Sequence, residues 1–185
     1  MNITIDTLLE MPSGSRACED AGDWFTDTFP NSTYPEGVDL RTAWDTLKAS
    51  EVDENLDWLI WFGCHWLNAT KRQEFAWFAA GLAMRHAGIT EFADNVTAEN
   101  WREAKDAAAS TASANAAAYY AASAASAYYA VDAVSAAADA DAANDADAAY
   151  AAYYTADAAY YTANKRHEAI AEMVERMEVL IFGVE

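Results

Sequence analysis

Cys64 and His65 stand side by side, with Cys18 and His86 elsewhere in the chain, and thiols and imidazoles are the first groups to examine for chemistry. They would make a zinc site or an activated thiolate. Structural and catalytic zinc sites, however, come in spacings such as CxxC, HxxxH or HExxH, and none occurs here. Cys64 lies among Trp61, Phe62, Trp66 and Leu67, and apolar surroundings raise a thiol pKa and leave it inert. Carboxylates come next. Asp139 and Asp141 are close enough to share a site, yet they sit in alanine, which cannot wall the pocket that acid–base catalysis needs. The chain also lacks a glycine-rich phosphate loop and a nucleophile elbow. The expectation is a protein without enzymatic activity, metal or cofactor.

Charge is the stronger signal. Thirty acidic against eleven basic side chains give a formal charge of −19 over 185 residues. Such a field opposes nucleic acid and anionic membranes and favours a basic protein partner; keeping an alanine-rich chain soluble is its plainer use. Between Lys105 and Lys165 there is no basic residue, but Asp106, Asp132, Asp139, Asp141, Asp145, Asp147 and Asp157 all fall there. The candidate partner-binding acids are Asp132, Asp139, Asp141, Asp145 and Asp147, joined by Glu51, Asp53 and Glu54. No apolar run reaches the ~18–20 residues of a membrane span, and no basic start precedes an apolar core. The cytoplasm is therefore the expected compartment, with both cysteines reduced.

These acids need elements to carry them, and the pattern gives helices throughout: a single all-α domain with a Trp-rich half at 1–96 and an Ala/Tyr-rich half at 97–185. Thr4 caps a short helix through Met11, and apolar residues from Ala17 to Thr28 recur at helical spacing until Pro30. Asp39 caps a helix burying Ala43, Trp44 and Leu47. A helix from Asp53 or Glu54 is apolar nearly all round, so it should be buried on every side, with Trp58 and Trp61 in its core. Thr70 and Gln73 fit a capping box for the next helix, which ends near Gly88 and in which Gly81 admits a close neighbour.

From Ala98 to Asn164 there is neither Gly nor Pro and alanine dominates, so helix is dictated. One rod of that length would run roughly 100 Å, too long for a compact domain. A break at Asp139–Asp147, with Asn144 as N-cap, gives two antiparallel helices. In the second, Tyr150, Tyr153, Tyr154, Tyr160 and Tyr161 form a helical stripe, the spacing of a packed core face. Beyond a break near Lys165, Ile170, Met173, Val174, Met177, Leu180 and Ile181 make an amphipathic helix.

Ala17-Cys18, Trp24-Phe25, Phe29-Pro30 and Asp57-Trp58-Leu59, followed by a long alanine-rich tail with repeating aromatics, resemble the immunity proteins of bacterial toxin loci and prophages, including related small phage proteins. The likeness covers most of the chain. It implies an all-helical protein that binds and neutralises another macromolecule. Joined to the charge, it gives the leading expectation: an acidic phage or prophage inhibitor that blocks a nucleic-acid-binding protein of the host or its defences, by mimicry of DNA. Duplex DNA carries about 30 charges per ~50 Å, so mimicry requires Glu19, Asp20, Asp23, Asp27, Glu51, Asp53 and Glu54 to share a face with the tail. The alternatives are an immunity protein for a cognate toxin and a helical scaffold. Oligomeric state is open, a homodimer included.

Overall fold

A computed structural model describes residues 2–3, 19–29, 37–49, 53–117, 121–139, 145–163 and 165–183; for 3, 19–21, 53–57, 61, 117, 121–124, 145–147 and 162–163 it describes the backbone alone. The protein is all-α. Among the described residues are eight helices: α1 (Glu19–Thr28), α2 (Leu40–Lys48), α3 (Asp53–Trp66), α4 (Ala69–His86), α5 (Trp101–Ala117), α6 (Ala121–Asp139), α7 (Asp145–Ala163) and α8 (Arg166–Phe182). Two short strands, β1 (Asn2–Ile3) and β2 (Val38–Asp39), pair antiparallel, Asn2 opposite Asp39. The helix expected over residues 4–11 lies outside the described residues. The chain forms two compact units, Met1–Leu59 and Ile60–Glu185, with the boundary inside α3.

In the first unit Asp39 caps α2 as its type and place dictate, its Oδ2 accepting from the Arg41 and Thr42 amides at 3.1 and 3.3 Å. Leu40, Ala43, Trp44 and Leu47 then fall on one side and are buried, Trp44 completely. In α1, Phe25 is buried and its ring lies 5.2 Å from that of Phe29.

The expectation that α3 is buried on every side is corrected. Leu59, Ile60, Phe62 and Cys64 are buried, whereas Trp58, His65 and Trp66 are only half-buried. The fully buried tryptophan among the described side chains is Trp44. A second correction concerns α4, whose cap is Asn68 rather than Thr70. The Asn68 Oδ1 takes the Lys71 amide at 3.0 Å, because the helix begins two residues earlier than the capping box requires.

In the second unit α4 packs on α6, α7 and α8. Gly81 is where a loop presses on it: the Asp94 amide donates to the Gly81 carbonyl at 3.1 Å, and a Cβ on Gly81 would come within 2.9 Å of the Asp94 Cα. Asp94 itself has φ +58°, a left-handed turn that Asp tolerates better than most residues. Lys71 reaches across to the Leu180 carbonyl at 2.5 Å, satisfying an orphan acceptor at the end of α8.

The break near Asp139–Asp147 stands, since α6 ends at Asp139 and α7 begins at Asp145. The stretch from 98 nevertheless makes three helices where the sequence suggested two. The described part of α5 ends at Ala117, α6 starts at Ala121, and the two pack on each other, so the first arm is itself folded back. The physical reason is burial. Ala104, Ala108 and Ala112, spaced by four, are fully buried, and such a stripe gains only by lying against another helix. A straight continuation would have carried it away from the unit.

Candidate functional site

The hairpin of α6 and α7 is built the opposite way to the one its tyrosine stripe suggested. Ala127, Ala130, Ala133, Val134 and Ala137 of α6 and Ala148, Ala151, Ala152, Ala156, Ala158 and Ala159 of α7 fill the interior. Small side chains let helix axes approach closely, and the close approach leaves no space between them for a phenol ring. Two buried hydroxyls fix the arrangement. Ser126 Oγ donates to the Ala158 carbonyl at 2.8 Å, tying α6 to α7; Thr155 Oγ1 lies 2.7 Å from the Ala79 carbonyl, tying α7 to α4.

The rings are therefore displaced outward. Tyr128, Tyr150, Tyr153, Tyr160 and Tyr161 are between 39% and 55% exposed, and Tyr129 and Tyr154 are half-buried. The expected core stripe is a surface. Its rings touch in sequence: Tyr150 on Tyr154 at 6.3 Å, Tyr154 on Tyr129 at 6.3 Å, Tyr129 on Tyr161 at 5.4 Å and Tyr161 on Tyr160 at 5.2 Å, with Tyr153 edge-on to Tyr154. Partial burial, the Tyr161 phenol and the Asp157 charge push the Tyr129 phenol above its ordinary range. Asp157, half-buried beside these rings, is raised chiefly by burial, against the pull of Arg166 and a hydrogen bond from Tyr153.

The sequence holds a signal for this outcome that the aromatic spacing masked. Ala-Ala-Tyr-Tyr-Thr-Ala-Asp at 151–157 is followed by Ala-Ala-Tyr-Tyr-Thr-Ala-Asn at 158–164. A seven-residue repeat is the seam period of closely packed helices, and the small residues occupy the seam.

Of the candidate acids, Asp132 and Asp139 are exposed and lie seven residues apart on one side of α6. Asp132 is the fourth residue after Tyr128, and burial raises its carboxyl against the attraction of Lys105. Asp145 and Asp147 are in the first turn of α7, and Asp53 and Glu54 in that of α3; only the backbone of these four is described. Asp141 and Glu51 lie outside the described residues. The structure thus brings Asp132 and Asp139 together on α6, with Asp145 and Asp147 at the start of the following helix.

The other acids of this unit are differently placed. Glu172 and Asp94 meet Arg85, Glu74 meets Arg176, Glu168 meets Lys165 at 2.9 Å, and Asp157 meets Arg166 at 3.4 Å. These cations come from α4, α8 and Lys165, and Asp157 of α7 takes its cation from α8. On α6 and α7 there is no lysine or arginine at all.

Cys64 is fully buried and His65 lies edge-on to Trp66 at 5.0 Å. Burial, and then Arg85, lower the pKa of His86. Among the described residues no three His, Cys, Asp or Glu side chains gather as metal ligands do, and no helix is long and apolar enough to cross a membrane. Comparison with protein-family models, with curated proteins and with solved structures gives no match.

Proposed function

We propose that the protein is a non-enzymatic acidic inhibitor of phage or prophage origin, acting in the bacterial cytoplasm, which docks on a basic nucleic-acid-binding protein and occupies the place of the nucleic acid. The observation that supports this is the placement of the cations. Helices α6 and α7 carry aspartates and neither lysine nor arginine, with Asp132 and Asp139 exposed on α6, and the cation on Asp157 is supplied by α8. A charge of −19 used only for solubility would not need two successive helices without a cation of their own. Carboxylates presented on a helical rod suit a cleft shaped for phosphates, and steer association by long-range attraction.

The test is capture from a bacterial lysate with two baits, the natural chain and Asp132→Asn/Asp139→Asn/Asp145→Asn/Asp147→Asn. Proteins held by the first and lost by the second should be basic, and excess duplex DNA and raised salt should displace them. Equal retention on both baits would remove the acidic hairpin from the interface. An immunity protein would use the same surface against a nuclease toxin, and the identity of the captured protein separates the two.

A further inference from the structure

We infer that the tyrosine face of the α6–α7 hairpin is a docking surface for an arginine-bearing segment of the partner, whose guanidinium groups stack on the rings beside the hairpin carboxylates. This rests on the reading that the partner is basic, and it names the chemistry by which that partner is recognised. Six rings, Tyr129 of α6 and Tyr150, Tyr153, Tyr154, Tyr160 and Tyr161 of α7, form one connected aromatic surface. Large exposed aromatics in a continuous patch are unusual on a surface that has no partner. Their identity is informative: Tyr offers a flat π-face for a planar cation and a phenol for hydrogen bonds, and interfaces are enriched in it for that reason.

Charge decides the occupant. The hairpin carries aspartates and no cation, and Asp132 lies one turn from Tyr128 and Tyr129. A second copy of a chain at −19 would bring like charges together on this face, and phosphates of nucleic acid or lipid would be repelled. A guanidinium meets both features at once, stacking on a ring while its N–H groups reach carboxylate oxygens. The chain itself shows a guanidinium reaching a carboxylate beside these rings, since Arg166 Nη1 lies 3.4 Å from Asp157, to which Tyr153 also donates a hydrogen bond.

The test uses two short peptides of equal length and charge, one of arginine and glycine, the other of lysine and glycine, titrated calorimetrically at low salt. The arginine peptide should bind the natural chain about tenfold more tightly than the lysine peptide, as two or three ring contacts would give. Tyr150→Leu/Tyr153→Leu/Tyr160→Leu should bring the two affinities together while circular dichroism shows the helices intact. The matching Tyr→Phe set should keep the preference, because the π-face survives. Equal binding of both peptides by the natural chain, lost in the four-Asn variant, would overturn the inference and leave the acidic reading standing. Failure of both peptides to bind would overturn both. Sedimentation showing a dimer that the Leu set dissolves would assign the face to a second copy and overturn the inference also.

Discussion

Helices α7 and α8 follow one another in the chain and lie against each other, yet they invert each other's logic. In α8 the large apolar residues point inward: Ile170, Met173, Val174 and Met177 are almost fully buried, while Glu168, Glu172 and Arg176 form ion pairs on its outer side. In α7 the small residues point inward and the large ones outward. Both helices show apolar periodicity of about 3.6 residues, so hydropathy alone cannot tell them apart. What differs is the space available. Against α8 there is room for methionine, but a helix packed through alanines has room for little more than alanine.

That contrast can be broken by exchange of size. Met177→Ala in α8 should cost about 2–5 kcal/mol, the range for truncating a buried large side chain, read as a lowered denaturation midpoint with unchanged slope. The Met177 side chain also fills the space where a Cβ on Gly63 would sit, so little can move in to close the cavity. In α7 the sensitive change runs the other way: Ala159→Leu should cost about 1–3 kcal/mol by overpacking. A neutral result there would mean that the hairpin interior has space the structure does not show.

A smaller effect sharpens the comparison. Tyr160→Ala, at a ring half in solvent, should cost less than about 1 kcal/mol, since the site holds one edge-to-face ring contact rather than a filled core. A loss as large as that of Met177→Ala would place the ring inside.

The smallest effect is electrostatic. Because burial raises Asp157 above its unfolded value, the folded chain takes up that proton first as pH falls. Stability from this group therefore rises as pH falls through the raised pKa and is lost as pH climbs back through it. Asp132 acts in the same direction. Asp157→Asn, neutral at every pH, should match or exceed the natural chain in Tm at pH 7, by no more than about 2–4 °C, and the difference should shrink on acidification. A variant clearly less stable at pH 7 would show that the Arg166 pair outweighs burial.

Much of the architecture is legible in the sequence because local rules decide it. Asp39 as cap, the stripe of Leu40, Ala43, Trp44 and Leu47, the breaks near Asp139 and Lys165 and the tight approach at Gly81 each follow from residues close in the chain. The outward turn of the tyrosines does not, because it depends on how near one helix lies to the next. The fold-back of α5 on α6 is hidden for the same reason: no Gly or Pro marks it. The candidate acids and the want of lysine and arginine between Lys105 and Lys165 were legible as a charge pattern, but the pairing of the other cations emerges only from contacts distant in sequence, such as Arg85 with Glu172 and Arg176 with Glu74.

The account turns on which face of the hairpin meets solvent, and nitration of tyrosine by tetranitromethane, mapped by mass spectrometry on the native protein, tests that most directly. Tyr128, Tyr150, Tyr153 and Tyr160, each at least half exposed, should be modified at rates near that of a free tyrosine peptide, with Tyr129 and Tyr154 slower. Protection of the first four until the chain is unfolded would contradict it, placing the rings in the core and the alanines outside.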